Sequence, residues 1–319
     1  MNGKSNPDGG SPQDRRPLRG IALKVVSVAV FVAMSAMIKA AGQLPAGQIV
    51  FFRSFFAILP ILAMLAWQKQ LASALHTSRL FGHVARGLLG VTSMGLAFFA
   101  LVRLPLPEAV TLNYAQPLLV IVFSALFLGE TVRIYRWSAV VVGMVGVVVV
   151  SWPKLTLFQS AAGLSNQEAA GVVAALASAA ISACALLMVR ALVRTERSTT
   201  IVMWFSITAS VAGLATLPFG WTLLSWEQVA FLVGAGICGG VAQILMTEAY
   251  RYAEASTVAP FEYTSMLLAI LVGYFAFSEV PTLHMVVGGA IVIAAGLFII
   301  WRERQLGIER AARKLAPPQ

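Results

Sequence analysis

Charge is what this chain has least of. Only 11% of its 319 residues are Asp, Glu, Lys or Arg, against roughly 25% in a soluble domain, and 59% are hydrophobic. That balance excludes a water-exposed globule. Cysteine is nearly missing as well: Cys184 and Cys238 lie in different apolar segments without metal-ligand spacing, which makes them small packing residues. The three histidines, His76, His83 and His284, stand apart near segment ends and form no metal site. No nucleophile–base pair, metal cluster or close carboxylate pair is present, so an enzyme is not expected, and neither is a cofactor. The pattern G-x-x-x-x-G-K-[ST] is missing too, which argues against ATP hydrolysis. No aromatic-rich basic motif accompanies the net charge of +10, so nucleic acid is not an expected partner.

What fills the chain is a series of apolar runs near 20 residues, the length that crosses a ~30 Å hydrocarbon core as helix. Ten spans are expected, at 21–41, 46–67, 84–103, 107–128, 136–152, 169–189, 199–219, 228–249, 256–276 and 283–301. The fold class is all-α integral membrane. Residues 1–19 are polar and rich in Gly, Ser and Pro, with Arg15, Arg16 and Arg19 before the first span and no cleavage site, and read as a retained, disordered tail. With that tail inside, nineteen of the 23 Lys and Arg fall on the cytoplasmic side, Lys24 and Arg136 among them. Lys39, Arg53, Arg103 and Lys154 are the exceptions. The asymmetry puts both termini in the cytoplasm. Trp67, Trp137 and Trp301 then mark cytoplasmic borders and Trp152, Trp221 and Trp226 outer ones, while Trp204 falls inside a span.

The chain also carries its plan twice. Residues 108–130, EAVTLNYAQPLLVIVFSALFLGE, return loosely at 254–279 as EASTVAPFEYTSMLLAILVGYFAFSE, each copy preceded by an Arg (Arg103, Arg251) and closed by a Glu (Glu130, Glu279). Gly20 and Lys39 stand 19 apart at the ends of one apolar segment, as Gly171 and Arg190 do at the ends of another. Five spans per copy is an odd number, so the second copy enters the membrane from the opposite side. The expected organisation is a tail at 1–19, a first repeat at 20–153, a periplasmic linker at 154–168, a second, inverted repeat at 169–302 and a cytoplasmic tail at 303–319. Inverted duplication in a hydrophobic chain is the pattern of secondary transporters, whose site lies between the repeats.

Polar residues within the spans mark candidates for that site. Asn113, Gln116, Val120 and Ser124 share one face of span four, next to Tyr114. Glu262, Ser265, Ala269 and Gly273 share the equivalent face of span nine, next to Tyr263. Span eight offers Gly236, Gly239, Gly240, Gln243, Thr247 and Tyr250, the glycines reading first as close-packing positions. Pro117 and Pro260 each free a carbonyl four residues earlier, which kinks a helix toward a cavity or toward a packing partner. Glu262 costs on the order of 2.5–3.5 kcal/mol in a span and is expected to face the cavity, as a proton-binding group, a counter-charge or a structural ion pair. Arg53 either attracts a carboxylate or fixes helix packing. Lys39 is expected to snorkel to the outer surface, Glu248 to pair with Arg251, and Glu130 and Glu279 to make helix-end contacts. Trp204 completes the candidates for substrate contact.

The segments QIVFFRSFFAILP, TSRLFGHVARGLLG and APFEYTSMLLAILVGYFAFSEVPT give the chain a family likeness. From about residue 20 to 302 it resembles the EamA branch of the drug/metabolite transporter superfamily. The resemblance implies a bacterial inner-membrane carrier with a central cavity between two five-helix halves, moving a small molecule by alternating access, with proton coupling or exchange as the modes and a homodimer as a possible assembly. The FFR, TSR and APFEY segments are similar to those of bacterial S-adenosylmethionine uptake carriers, although Glu262 stands where some of those have a basic residue. Other members move riboflavin, amino acids or exported metabolites.

Overall fold

The computed structural model describes residues 17–71, 74–128, 132–152, 167–192, 196, 198–252 and 259–315, and no strand occurs among them. The helices are α1 (Pro17–Ala40), α2 (Ala46–Trp67), α3 (Leu80–Leu101), α4 (Leu106–Asn113), α5 (Ala115–Leu128), α6 (Ile134–Ser151), α7 (Gln167–Leu192), α8 (Ser198–Leu214), α9 (Trp226–Tyr252), α10 (Thr264–Phe277) and α11 (Leu283–Leu315). Among the described residues, eight segments are long and apolar enough to cross a membrane, with α4 and α5 together forming one of them. The segments Thr199–Leu214 and Phe261–Phe277 are shorter apolar helices, bringing the total to the ten expected. The expected tail at 1–19 and linker at 154–168 fall largely outside the described residues.

Proline and polar turns set the helix ends. Pro45 and Pro105 stand immediately before α2 and α4, where a missing N–H costs nothing, and both are extended, with ψ of 129° and 140°. Span four breaks at Tyr114 because the ring of Pro117 takes away the donor that Asn113 would otherwise receive. Span nine opens with a 3-10 turn, Ala259–Tyr263, which contains Pro260. The break expected in span four is therefore present, whereas Ser256, whose carbonyl Pro260 frees, lies outside the described residues.

The packing follows the duplication. Counting α4 and α5 as one span, α1 to α6 make the first copy and α7 to α11 the second. The first span (α1) packs on the eighth (α9), and its mate, the sixth (α7), packs on the third (α3). The second and seventh (α2, α8), the fourth and ninth (α4, α10) and the fifth and tenth (α6, α11) pack on one another. Two hydrogen bonds mark the same relation atom by atom. Ser27 Oγ donates to the Ala242 carbonyl at 2.8 Å, and Ser178 Oγ donates to the Ser93 carbonyl at 2.8 Å. Ser27 and Ser178 follow Gly20 and Gly171 by the same seven residues, and Ser93 and Ala242 precede Glu130 and Glu279 by the same 37. The two bonds are mates across a pseudo-two-fold, each meeting a donor that lipid would leave unsatisfied.

Small residues let these helices touch. A Cβ added to Gly146 of α6 would meet the Gly288 carbonyl oxygen at 2.7 Å, and one added to Gly288 of α11 would meet the Gly146 oxygen at 2.6 Å. On α9, a Cβ at Gly236 would lie 2.5 Å from Phe56 Cβ, and Gly240 packs against Ala57 and Pro60 of α2. The glycines of span eight are close-packing positions, as expected.

Candidate transport cavity

A cavity of about 990 Å³ opens between the two copies. Its walls come from α1, α3, α4, α5, α7, α11 and the start of span nine, and it reaches the side of the membrane on which α1 begins, where Arg136 of α6, Leu186 of α7 and Met246 of α9 line it. The expected polar face of span four is all there: Asn113, Gln116, Val120 and Ser124 line the cavity, with Tyr114 and Pro117. Asn113 is exposed to it because the broken helix turns that residue away from packing.

The face of span nine divides. Glu262, Tyr263 and Ser265 line the cavity, whereas Ala269 is fully buried and Gly273 packs on Pro107 of α4. Tyr114 and Tyr263 occupy equivalent positions in the two copies and meet edge to face, ring centroids 5.1 Å apart. The Tyr114 hydroxyl shares a hydrogen bond with Ser265 Oγ, and Tyr263 reaches the bare backbone of Gly296. The cavity thus has a rigid aromatic floor with an amide on either side of Tyr114.

Glu262 forms an ion pair with Lys24 of α1. The Lys24 side chain is 1% exposed and that of Glu262 is 49% exposed, so the carboxylate faces the cavity while the ammonium lies behind it. The sequence sets Lys24 among the cytoplasmic charges. It is instead the eighth residue of α1, about 10 Å along the helix, and a charge at that depth is held by its partner. Its place inside the first apolar run was the available signal, but the partner lies 238 residues away in sequence.

The opposite end is closed. Lys39 Nζ lies 2.7 Å from Glu279 Oε1 and also donates to the Leu104 carbonyl. Glu279 Oε2 accepts the Leu106 backbone N–H at 2.8 Å, serving the first turn of α4, and Leu104 and Leu106 are buried beneath. Ser278, in the left-handed region at φ 53°, turns the chain so that Glu279 N–H reaches the Gly273 carbonyl at 2.9 Å and its side chain lies over α4. Lys39 therefore does not snorkel outward as expected; a carboxylate and a carbonyl within reach outcompete water. Glu279 makes the helix-end contact anticipated for it. Glu130 and the side chains of Arg190 and Arg251 lie outside the described residues, and with Arg251 the expected pairing of Glu248.

Arg53 and Gln243 do not reach this cavity. They line a separate pocket of about 50 Å³ with Arg86, one of the nineteen charges that the sequence sets on the cytoplasmic side. Trp204 lines neither; its indole N–H donates to the Leu75 carbonyl at 3.3 Å and its ring stacks on His83 at 6.2 Å.

The EamA-like transporter family matches the chain twice, over residues 18–152 and again over 169–302. The chain belongs to that family. It is a multi-pass membrane protein of a transporter family, and the doubling read from its sequence is the doubling of the family's own unit. Among its relatives, the S-adenosylmethionine uptake transporter of Rickettsia prowazekii (strain Madrid E) is 29% identical over 292 residues, 90% of this chain and 94% of that protein. The pseudopaline exporter of Pseudomonas aeruginosa (strain UCBPP-PA14) is 30% identical over 288 residues, 86% of this chain and 94% of that protein. A riboflavin transporter of Vibrio cholerae serotype O1 is 29% identical over 256 residues, 79% and 81% of the two chains. A solved crystal structure superposes with a TM-score of 0.62 at 18% identity, over 88% of this chain and 96% of that one, which shows the fold. This EamA-family chain is thus similar to an uptake transporter and an exporter alike.

Proposed function

We propose that this EamA-family protein carries a small polar or amphiphilic metabolite across the bacterial inner membrane by alternating access, without ATP. The observation that carries the reading is the cavity of about 990 Å³ between the copies, a volume suited to a whole metabolite and lined out to the end where α1 begins. Asn113, Tyr114, Gln116, Glu262 and Tyr263 are the substrate contacts in this reading. The side chains supply amides for hydrogen bonding, two aromatic rings for a planar group and a carboxylate for a cationic one. Trp204 takes no part, since its ring and N–H are engaged elsewhere. The charge asymmetry supports cytoplasmic termini, so the cavity faces the cytoplasm and the Lys39–Glu279 contact closes the periplasmic end.

The similarity to S-adenosylmethionine uptake transporters makes that compound the first substrate to test. It combines a planar base with cationic groups that the Tyr pair and Glu262 suit. Purified protein in proteoliposomes is expected to take up labelled S-adenosylmethionine in a saturable way; parallel arms with riboflavin and amino acids define selectivity. Absence of flux above protein-free vesicles for every solute would overturn the proposal. Preloading the vesicles with unlabelled solute, or imposing a pH gradient, separates exchange from proton coupling and import from export.

A further inference from the structure

We infer that Arg53 and Arg86 form an anion-binding site, distinct from the large cavity, that takes a carboxylate or a small anion of like charge. The two pockets share no lining residue. Arg53 is the eighth residue of α2 and Arg86 the seventh of α3, so the two start from opposite faces of the membrane, each about 10 Å along its helix. Their side chains nevertheless line one pocket of about 50 Å³, walled by Phe205 and Ser206 of α8 and by Gly239 and Gln243 of α9.

Nothing among the described residues neutralises them. Neither guanidinium forms a salt bridge there, and the buried Nε of Arg53 and the buried Nε and Nη1 of Arg86 have no hydrogen-bond partner. Donors left unmet at such depth are costly, and two like charges facing one space repel. An anion between them removes both costs at once, because a guanidinium fork matches the two oxygens of a carboxylate.

The groups are also held for that task. Arg86 lies over the face of Phe205, 4.2 Å from the ring centre, which fixes its plane. Gly239 leaves Arg53 its path: a Cβ there would lie 3.2 Å from Arg53 Nε. The volume has room for a carboxylate group or one small ion. Ser206 and Gln243 add polar lining beside the charges.

The site is tested on the purified full-length protein by thermal shift with sodium formate and, separately, sodium chloride, so that the outcome does not depend on finding the carried metabolite. Formate is expected to raise the melting midpoint along a saturating curve. Arg53→Gln and Arg86→Gln are each expected to raise the half-saturating concentration about tenfold or more, leaving only the shallow response to ionic strength. Arg86→Lys, which keeps the charge without the fork, is expected to respond to formate at intermediate concentrations, and serves if the Gln variant does not fold. Saturation by formate and chloride alike assigns the site to a free ion. Saturation by methionine but not by methioninamide, with formate weak, assigns it to the carboxylate of a larger solute. Identical, non-saturating curves for the wild type and the variants would overturn the inference.

Discussion

Two lysines of the first span each reach a glutamate of the ninth, and the two contacts differ in everything but their chemistry. Lys24 meets Glu262 where the cavity is open, and about half of the Glu262 side chain is exposed. Lys39 meets Glu279 at the closed end, where both side chains are mostly covered, at 13% and 16%, and where the same carboxylate also holds the start of α4. An exposed carboxylate can trade its partner for a solute. A covered one that serves a second donor holds helices in place. One ion pair is thus suited to recognition and the other to closure, although both tie the same two spans.

Breaking the closed end should cost most. Glu279→Gln is expected to lower transport at least about tenfold and to destabilise the protein by about 3 kcal/mol, since the substitution strips Lys39 of its counter-charge. Proteoliposome flux and thermal melting check both effects. If the closure role is right, a single cysteine placed at Leu106 reacts faster with an impermeant thiol reagent in the Glu279→Gln background. Glu262→Gln comes next: transport is expected to fall several-fold with a smaller change in melting temperature. If Glu262→Gln melts as low as Glu279→Gln, the two pairs do the same work and the contrast fails.

The serine bonds sharpen the comparison from the side of symmetry. Ser27→Ala and Ser178→Ala each remove one of the mated hydrogen bonds and should cost about 1 kcal/mol apiece, nearly equally, by thermal melting in detergent. A marked inequality would show that the copies are not energetically equivalent.

The smallest expected effect lies outside the membrane. Burial raises the Glu196 carboxyl, but hydrogen bonds from Thr77 and Ser78 and the nearby His83 more than offset it, and its pKa falls below the ordinary 4.5. A lowered folded value means stability that is present above the ordinary value and lost as pH drops through the folded one. Glu196→Gln should therefore flatten the decline in melting temperature below about pH 4.5 and change little at neutral pH.

Most of the architecture was legible because hydrocarbon imposes a length and an apolar composition on each span, and because Pro117 announces the break at Tyr114. The polar face of span four was legible for the same reason, since the helical period fixes which residues stand together. What sequence could not show was pairing over distance. Lys24 and Arg86 were grouped with the surface charges by their place near span ends, yet one is held by a carboxylate 238 residues away and the other shares a pocket with Arg53. Lys39 follows the same rule: snorkelling is what a lysine does in lipid, and Glu279 and the Leu104 carbonyl come within its reach only once the helices are assembled.

The contact between Gly146 and Gly288 has a bearing on motion. The last helices of the two copies meet there main chain to main chain, with Val292 seated against Gly146 and Val150 against Gly288. A close approach at one pair of small residues lets the helices turn about that point, as a journal turns in its sleeve, only while both notches stay unfilled. Gly288→Val would fit that sleeve with a key, and transport should stall even if the fold survives.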